Sequence, residues 1–363
     1  MKIAIIGSGN AGQAHAFKFT QNGHTVSLIK TSHTLHEDSF HAIQEAGGIW
    51  CLDQTMKDEK SFQKIHLITR NMEEGLRGAE LIVIMTQSLQ HIELVDKIVP
   101  FLDKTTKMLL LIPGNLGSLF FYPKIKARSI ILSEGESTPY DARISSPGVV
   151  TILYKNVRNA LSFLPVSRKI EGMSIASKLV DTYRYTRNNI IESALHNPNL
   201  VVHTIGVIMS ASRIEMMKGE FWMYKESFSP SIWHLIRELD AEKNRVIKLF
   251  KGEQISYLDA CKFRNEIDLS KNSLDVFNNY AATGGPKGPV SLKTRYLYED
   301  VLTGLCLLSS LAHWYEIATP VTDSLITIAS ALVNYDFRAN ARTMKDFGIE
   351  GVSKDEFVHF INS

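Results

Sequence analysis

The chain predicts an α/β domain of Rossmann type, a doubly wound parallel sheet, followed by a mainly α-helical domain. Three observations carry this. Short runs rich in Ile, Leu and Val alternate with segments of helical spacing through the first half. A glycine-rich turn joins the first run to the first helix. Beyond about residue 155 the texture changes, and long amphipathic stretches replace the β-rich runs.

In chain order, Lys2–Gly7, Thr25–Lys30, Ile65–Arg70, Ala79–Met85, Lys107–Ile112 and Ser129–Leu132 read as buried strands, being short, apolar and bounded by turn residues. Ala11–Gln21 and Leu89–Phe101 have helical spacing between them. Strand and helix in repetition imply a parallel sheet covered on both faces. Val149–Tyr154 is one more strand candidate. The predicted helices of the second half are Ile175–Ala194, Pro198–Met217, Pro230–Leu249, Tyr298–Tyr315 and Pro320–Leu332. The reading divides the chain into residues 1–170 and 171–363, with the charged stretch Arg168–Glu171 as connection.

Composition sets bounds on function. With 363 residues, 44% of them hydrophobic, the chain can build two cores. Forty basic residues against 38 acidic ones are interspersed, which gives no support for nucleic acid or a membrane surface as partner. Cys51, Cys261 and Cys306 are far apart and odd in number, as expected of reduced thiols in a cytoplasmic protein, and no metal site is expected. The first residues lead straight into a strand with no leader pattern. The longest nearly apolar stretch, Val301–Ala312, is shorter than the roughly 20 residues that span a bilayer.

The glycine-rich turn places Gly7, Gly9 and Gly12 in the G-x-G-x-x-G pattern after a strand and before a helix. That context points to a dinucleotide: Gly7 for the tight turn, Gly9 for approach of a pyrophosphate, Gly12 for helix packing on strand. The helix opening at Asn10 and Ala11 offers free N–H groups to phosphate. The end of the second strand selects the dinucleotide. It reads Lys30-Thr31-Ser32-His33 with no acid before Glu37, so groups suited to a 2′-phosphate stand where a ribose-binding acid is usual. NADP(H) is favoured, with NAD(H) as the alternative should Glu37 or Asp38 reach the ribose. Gln87, in the loop after the fourth strand, is expected on the cofactor side. His33, His36 and His41 lack the spacing of a metal site.

In the second half, Asn197 and Pro198 break a run of helical spacing at Leu195-His196-Asn197-Pro198. Asparagine is a good cap and proline suits the first helical turn, so one helix ends at His196 and another begins. Further on, Arg295, Glu299 and Asp300 open an apolar helix.

These motifs, together with Glu134-Gly-Glu-Ser-Thr-Pro-Tyr140 and Thr319-Pro320, resemble the opine dehydrogenases of the octopine/nopaline type, over both domains. The resemblance implies an NAD(P)H-dependent enzyme joining an amino acid amine to a 2-oxo acid such as pyruvate and reducing the imine. It implies His196 as acid/base group with Asp300 as partner, and Arg295, Asn197 and Tyr140 on the substrate side. A homodimer is compatible with a chain of this size. Two rival readings are a reductase of the ketopantoate or hydroxyacid dehydrogenase kind, which usually brings a catalytic lysine near the start of its second domain, and a nucleotide-sensing protein without turnover.

Overall fold

The computed structural model describes residues 1–56, 60–283, 285–349 and 351–363. The chain divides into two compact units, Met1–Thr186 and Arg187–Ser363.

The first unit contains β1 (Lys2–Ile6), α1 (Asn10–Gln21), β2 (Thr25–Ile29), α2 (Glu37–Ala46), β3 (Gly48–Asp53), β4 (Lys60–Lys64), β5 (Leu67–Thr69), α3 (Met72–Leu76), β6 (Leu81–Ile84), α4 (His91–Ile98), β7 (Met108–Leu111), α5 (Ser118–Ile125), β8 (Ile131–Gly135), β9 (Tyr140–Ser146), β10 (Val149–Lys155), β11 (Asn159–Leu164), α6 (Lys169–Ala176) and β12 (Tyr183–Thr186). Eight strands form the main sheet in the order β5-β2-β1-β6-β7-β8-β11-β12. It is parallel from β5 to β8, and β11 joins antiparallel. Every residue of β6 and β7 is buried, as a sheet covered on both faces requires.

A second sheet, β4-β3-β10-β9, was not legible in the sequence apart from β10. It changes the environment of α1, which packs on β1 and β2 on one side and on β3, β9 and β10 on the other. Eight consecutive residues of α1, Gly12 to Phe19, are buried in consequence. His15 is among them, and burial pushes its imidazole down to about 4. Lys18 meets Asp53 of β3 at 2.6 Å, so the charge carried into this layer is paired.

The expected division at residue 170 is corrected. It falls inside α6, and α6 and β12 belong to the first unit because β12 pairs in parallel with β11. Ile175–Ala194 is accordingly not one helix. Its apolar spacing comes from the end of α6, the buried Tyr183 of β12, and a new helix whose start is fixed by Asn189, which accepts the Glu192 N–H at 3.0 Å.

The second unit is helical: α7 (Ile190–Leu195), α8 (Pro198–Met209), α9 (Ala211–Met217), α10 (Met223–Glu226), α11 (Pro230–Leu249), α12 (Tyr257–Asn265), α13 (Ser273–Thr283), α14 (Arg295–Tyr298), α15 (Cys306–Trp314), α16 (Pro320–Val333) and α17 (Lys354–Ile361). The expected Pro198–Met217 helix is broken at Ser210. The expected Tyr298–Tyr315 helix is α14 and α15 joined by a π-helical turn over Val301–Leu305. All three cysteines are buried free thiols. Among the described residues, no single helix is long and apolar enough to cross a membrane.

Candidate functional site

The cradle of the first unit is built at the C-terminal ends of β1, β2 and β6. Gly7 has φ +110°, and a Cβ there would stand 2.8 Å from the Met85 carbonyl oxygen. A Cβ on Gly12 would come within 1.7 Å of the Gly7 oxygen, so both glycines are required by the fold itself. Gly9 differs. Its φ of −88° suits any residue, and the nearest atom to an added Cβ is 3.9 Å away on His36. The space above Gly9 is open at the start of α1, where no side chain caps the helix and no acid lies in the first turn. The Ser8 and Thr86 hydroxyls beside it are buried without a partner. Open space, free N–H groups and orphaned hydroxyls fit the pyrophosphate of a dinucleotide. Gly9→Ala should therefore leave the unfolding midpoint unchanged while raising the dinucleotide Kd about tenfold or more, the worth of one lost close approach. A calorimetric titration beside a melting curve reads both, and retained affinity would remove the phosphate from this position.

At the end of β2 the expected arrangement is only partly present. The Lys30 ammonium is buried and turned inward, donating to the Leu35 carbonyl and pairing with Glu37 at 3.3 Å. It is therefore not free to take a 2′-phosphate. Thr31 and Ser32 are half-buried and remain at the rim, as does Gln87 after β6. Asn10 spends its side-chain oxygen on the Ile144 N–H at 2.8 Å, which leaves its backbone N–H for a ligand.

In the second unit the residue that meets Asp300 is His203. Its Nδ1–H donates to Asp300 Oδ2 at 2.7 Å, and both side chains are buried. Nε2 faces the Tyr224 hydroxyl at 3.2 Å, and the ring stacks on Tyr296 with centroids 3.7 Å apart. A glycine permits this closeness. A Cβ on Gly206 would lie 2.7 Å from Met223 Sδ, so Gly206 lets α10 approach α8 and carry Tyr224 to the ring. Asp300 itself precedes the π-helical turn, an irregularity often found at functional sites. Burial pushes its carboxyl up to about 7, with the Arg295 guanidinium pulling the other way. Arg295 opens α14 and is exposed. The short bond between two buried side chains is the arrangement of a couple that can hold or release a proton at Nε2.

Residues 186–333 match the family described as NAD/NADP octopine/nopaline dehydrogenase, alpha-helical domain. Residues 2–117 match the N-terminus of NAD-dependent glycerol-3-phosphate dehydrogenase. An opine dehydrogenase of Arthrobacter sp. (strain 1C) is 25% identical over 361 residues, 96% of either chain. The helical domain belongs to the octopine/nopaline dehydrogenase family. Solved opine dehydrogenases share the chain's fold. Octopine dehydrogenase in complex with NADH and agmatine is 14% identical and superimposes with TM-score 0.75, covering 96% of each chain. Yersinopine dehydrogenase with NADP+ bound is 12% identical, with TM-score 0.73, covering 100% of this chain and 98% of that one.

Within this helical domain, the expected pairing of His196 with Asp300 is corrected. His196 ends α7 and is 3% exposed, and its Nε2–H donates to the Glu253 carbonyl at 2.8 Å. Burial holds it well below the ordinary histidine range, helped by Lys243 and Arg187. The carboxylate expected beside it is bonded to His203 instead. Asn197 caps α8 as expected, its side-chain oxygen accepting the Asn199 N–H at 3.0 Å. Tyr140 packs edge-on against His15 and faces a cleft shared with Lys18, Gln21 and Asp53. Tyr224 and Tyr296 were missed because aromatic residues at helical spacing read as core.

Proposed function

We propose that the chain is an NAD(P)H-dependent opine dehydrogenase in which His203, set by Asp300, is the acid/base group. The observation that carries this is the 2.7 Å bond between the two buried side chains, inside the helical unit that matches the family. In the reaction, the amine of an amino acid adds to the keto carbon of a 2-oxo acid such as pyruvate, and water leaves to give an imine. The bound nicotinamide supplies hydride to the imine carbon. The nitrogen takes a proton, and the product is a secondary amine bearing both carboxylates.

His203 serves the proton side of this chemistry. The carboxylate of Asp300 fixes the Nδ1–H tautomer, stabilises the imidazolium and leaves Nε2 to carry the transferred proton. Tyr224 orients Nε2 from the other side. Arg295, with its planar fork, is suited to hold a substrate carboxylate. Gly9, the start of α1 and the hydroxyls of Ser8 and Thr86 would hold the pyrophosphate. NADPH is the preferred dinucleotide, because the first acid after β2, Glu37, is already paired with Lys30 and Arg70.

Mixing the protein with pyruvate, pools of amino acids and either NADPH or NADH tests the reading, with products identified by mass. Oxidation that requires both amine and oxo acid is expected. Oxidation with oxo acid alone would make the chain a hydroxyacid reductase. Silence with every pool, despite dinucleotide binding, would favour a nucleotide sensor.

A further inference from the structure

The ends of β2 and β5 lie side by side, with the Lys30 N–H bonded to the Thr69 carbonyl at 3.0 Å. Arg70 therefore emerges next to Lys30 at the edge of the cradle. Its guanidinium lies over the Phe40 ring at 4.7 Å, donates to the Ser32 carbonyl at 2.6 Å and reaches the Glu37 carboxylate. Lys30 and Arg70 thus bracket the same carboxylate, but they are not equivalent. The Lys30 side chain is 3% exposed and faces inward, while that of Arg70 is 27% exposed. One cation cancels Glu37 from behind, and the net positive charge of the three groups is presented by Arg70 at the rim.

This arrangement disfavours a bare ribose, whose 2′-hydroxyl seeks a carboxylate acceptor, because the nearest acid is already shared between two cations. It suits a doubly charged group with several acceptor oxygens, which a guanidinium meets with two parallel N–H bonds. The Ser32 hydroxyl, half-buried beside it, adds a neutral donor. We propose that Arg70 binds the 2′-phosphate of the adenosine and so sets the preference for NADPH over NADH, with Lys30 holding Glu37 out of the way. This rests on the reading of the chain as a nicotinamide-dependent enzyme.

The test is calorimetric titration of the intact protein with 2′,5′-ADP and 5′-AMP, and fluorescence titration with NADPH and NADH. The wild type should bind 2′,5′-ADP at least about tenfold tighter than 5′-AMP, the scale of one charge-assisted contact. Arg70→Gln should erase that ratio while 5′-AMP and NADH affinities stay within about twofold, and Arg70→Lys should restore part of it. Glu37→Gln, which removes the opposing charge, should widen the ratio. A wild type preferring 5′-AMP, an Arg70→Gln variant that keeps the ratio, or a Glu37→Gln variant that narrows it would overturn the assignment and leave the dehydrogenase reading intact. Binding of neither NADPH nor NADH would overturn both.

Discussion

Replacing His203 with asparagine should lower kcat for imine reduction by about 10²–10⁴-fold, the range that a positioned general acid supplies, with dinucleotide affinity unchanged. The argument rests on what each histidine can do with its second nitrogen. His203 gives Nδ1–H to Asp300 and keeps Nε2 beside a half-buried tyrosine hydroxyl, so a proton held there can be exchanged. His196 gives Nε2–H to a backbone carbonyl and is buried at the end of α7, where burial holds its pKa well below the ordinary histidine range. His196→Asn should cost about 1–3 kcal/mol of stability, the price of a buried carbonyl left without its donor. Turnover per folded molecule should stay within a few-fold. Steady-state kinetics beside denaturant unfolding separate the two variants. If the His196 variant lost turnover and the His203 variant kept it, the assignment would be reversed.

The confusion between these histidines shows what the sequence could and could not say. The cradle was legible because it is local: a strand, three glycines and a helix within a dozen residues specify the turn. Asn197 as a cap and Asp300 at a helix opening were legible for the same reason. The partner of Asp300 was not, because 97 residues separate it from His203 and only the packing of α8 on the turn after α14 joins them. His203 sits in the apolar run Leu200-Val-Val-His-Thr-Ile205, where a histidine usually reads as core. His196 drew attention by standing at a visible break. The one usable signal was charge: Asp300 opens an apolar helix, a carboxylate buried there demands a nearby cation or donor, and α8 offers a single ionisable side chain. Lys30 failed differently. Strand spacing placed it at the correct edge, but its side-chain direction depended on Glu37 and Phe40 across a turn. Arg70 was hidden because β5, three residues long, is identified as the neighbour of β2 only by the sheet. The second sheet was missed because β4 alternates exposed and half-buried positions and the apolar run of β3 is only four residues long, with an exposed Trp50 within it.

For Asp300→Asn the expected loss in kcat is about 10³–10⁴-fold, the effect of removing the carboxylate behind a catalytic histidine while keeping its shape. The amide can still lie against Nδ1, but it no longer stabilises an imidazolium, and its NH₂ can donate to Nδ1 and select the wrong tautomer. The pH profile distinguishes this from a packing defect. In the reductive direction the couple must carry a proton to give, so wild-type kcat/KM should be high at low pH and fall as pH rises through one apparent step near neutrality. Burial of Asp300, pushed up to about 7 against the pull of Arg295, places the step there, and it belongs to the pair. In the oxidative direction the same couple must accept a proton, so the limb inverts and the rate rises with pH. In Asp300→Asn the buried imidazole has no carboxylate to favour its charged form, and the reductive step should move to lower pH. Rates measured in both directions between about pH 5 and 9 read the shift, and a step that stayed in place would show that Asp300 does not titrate with His203.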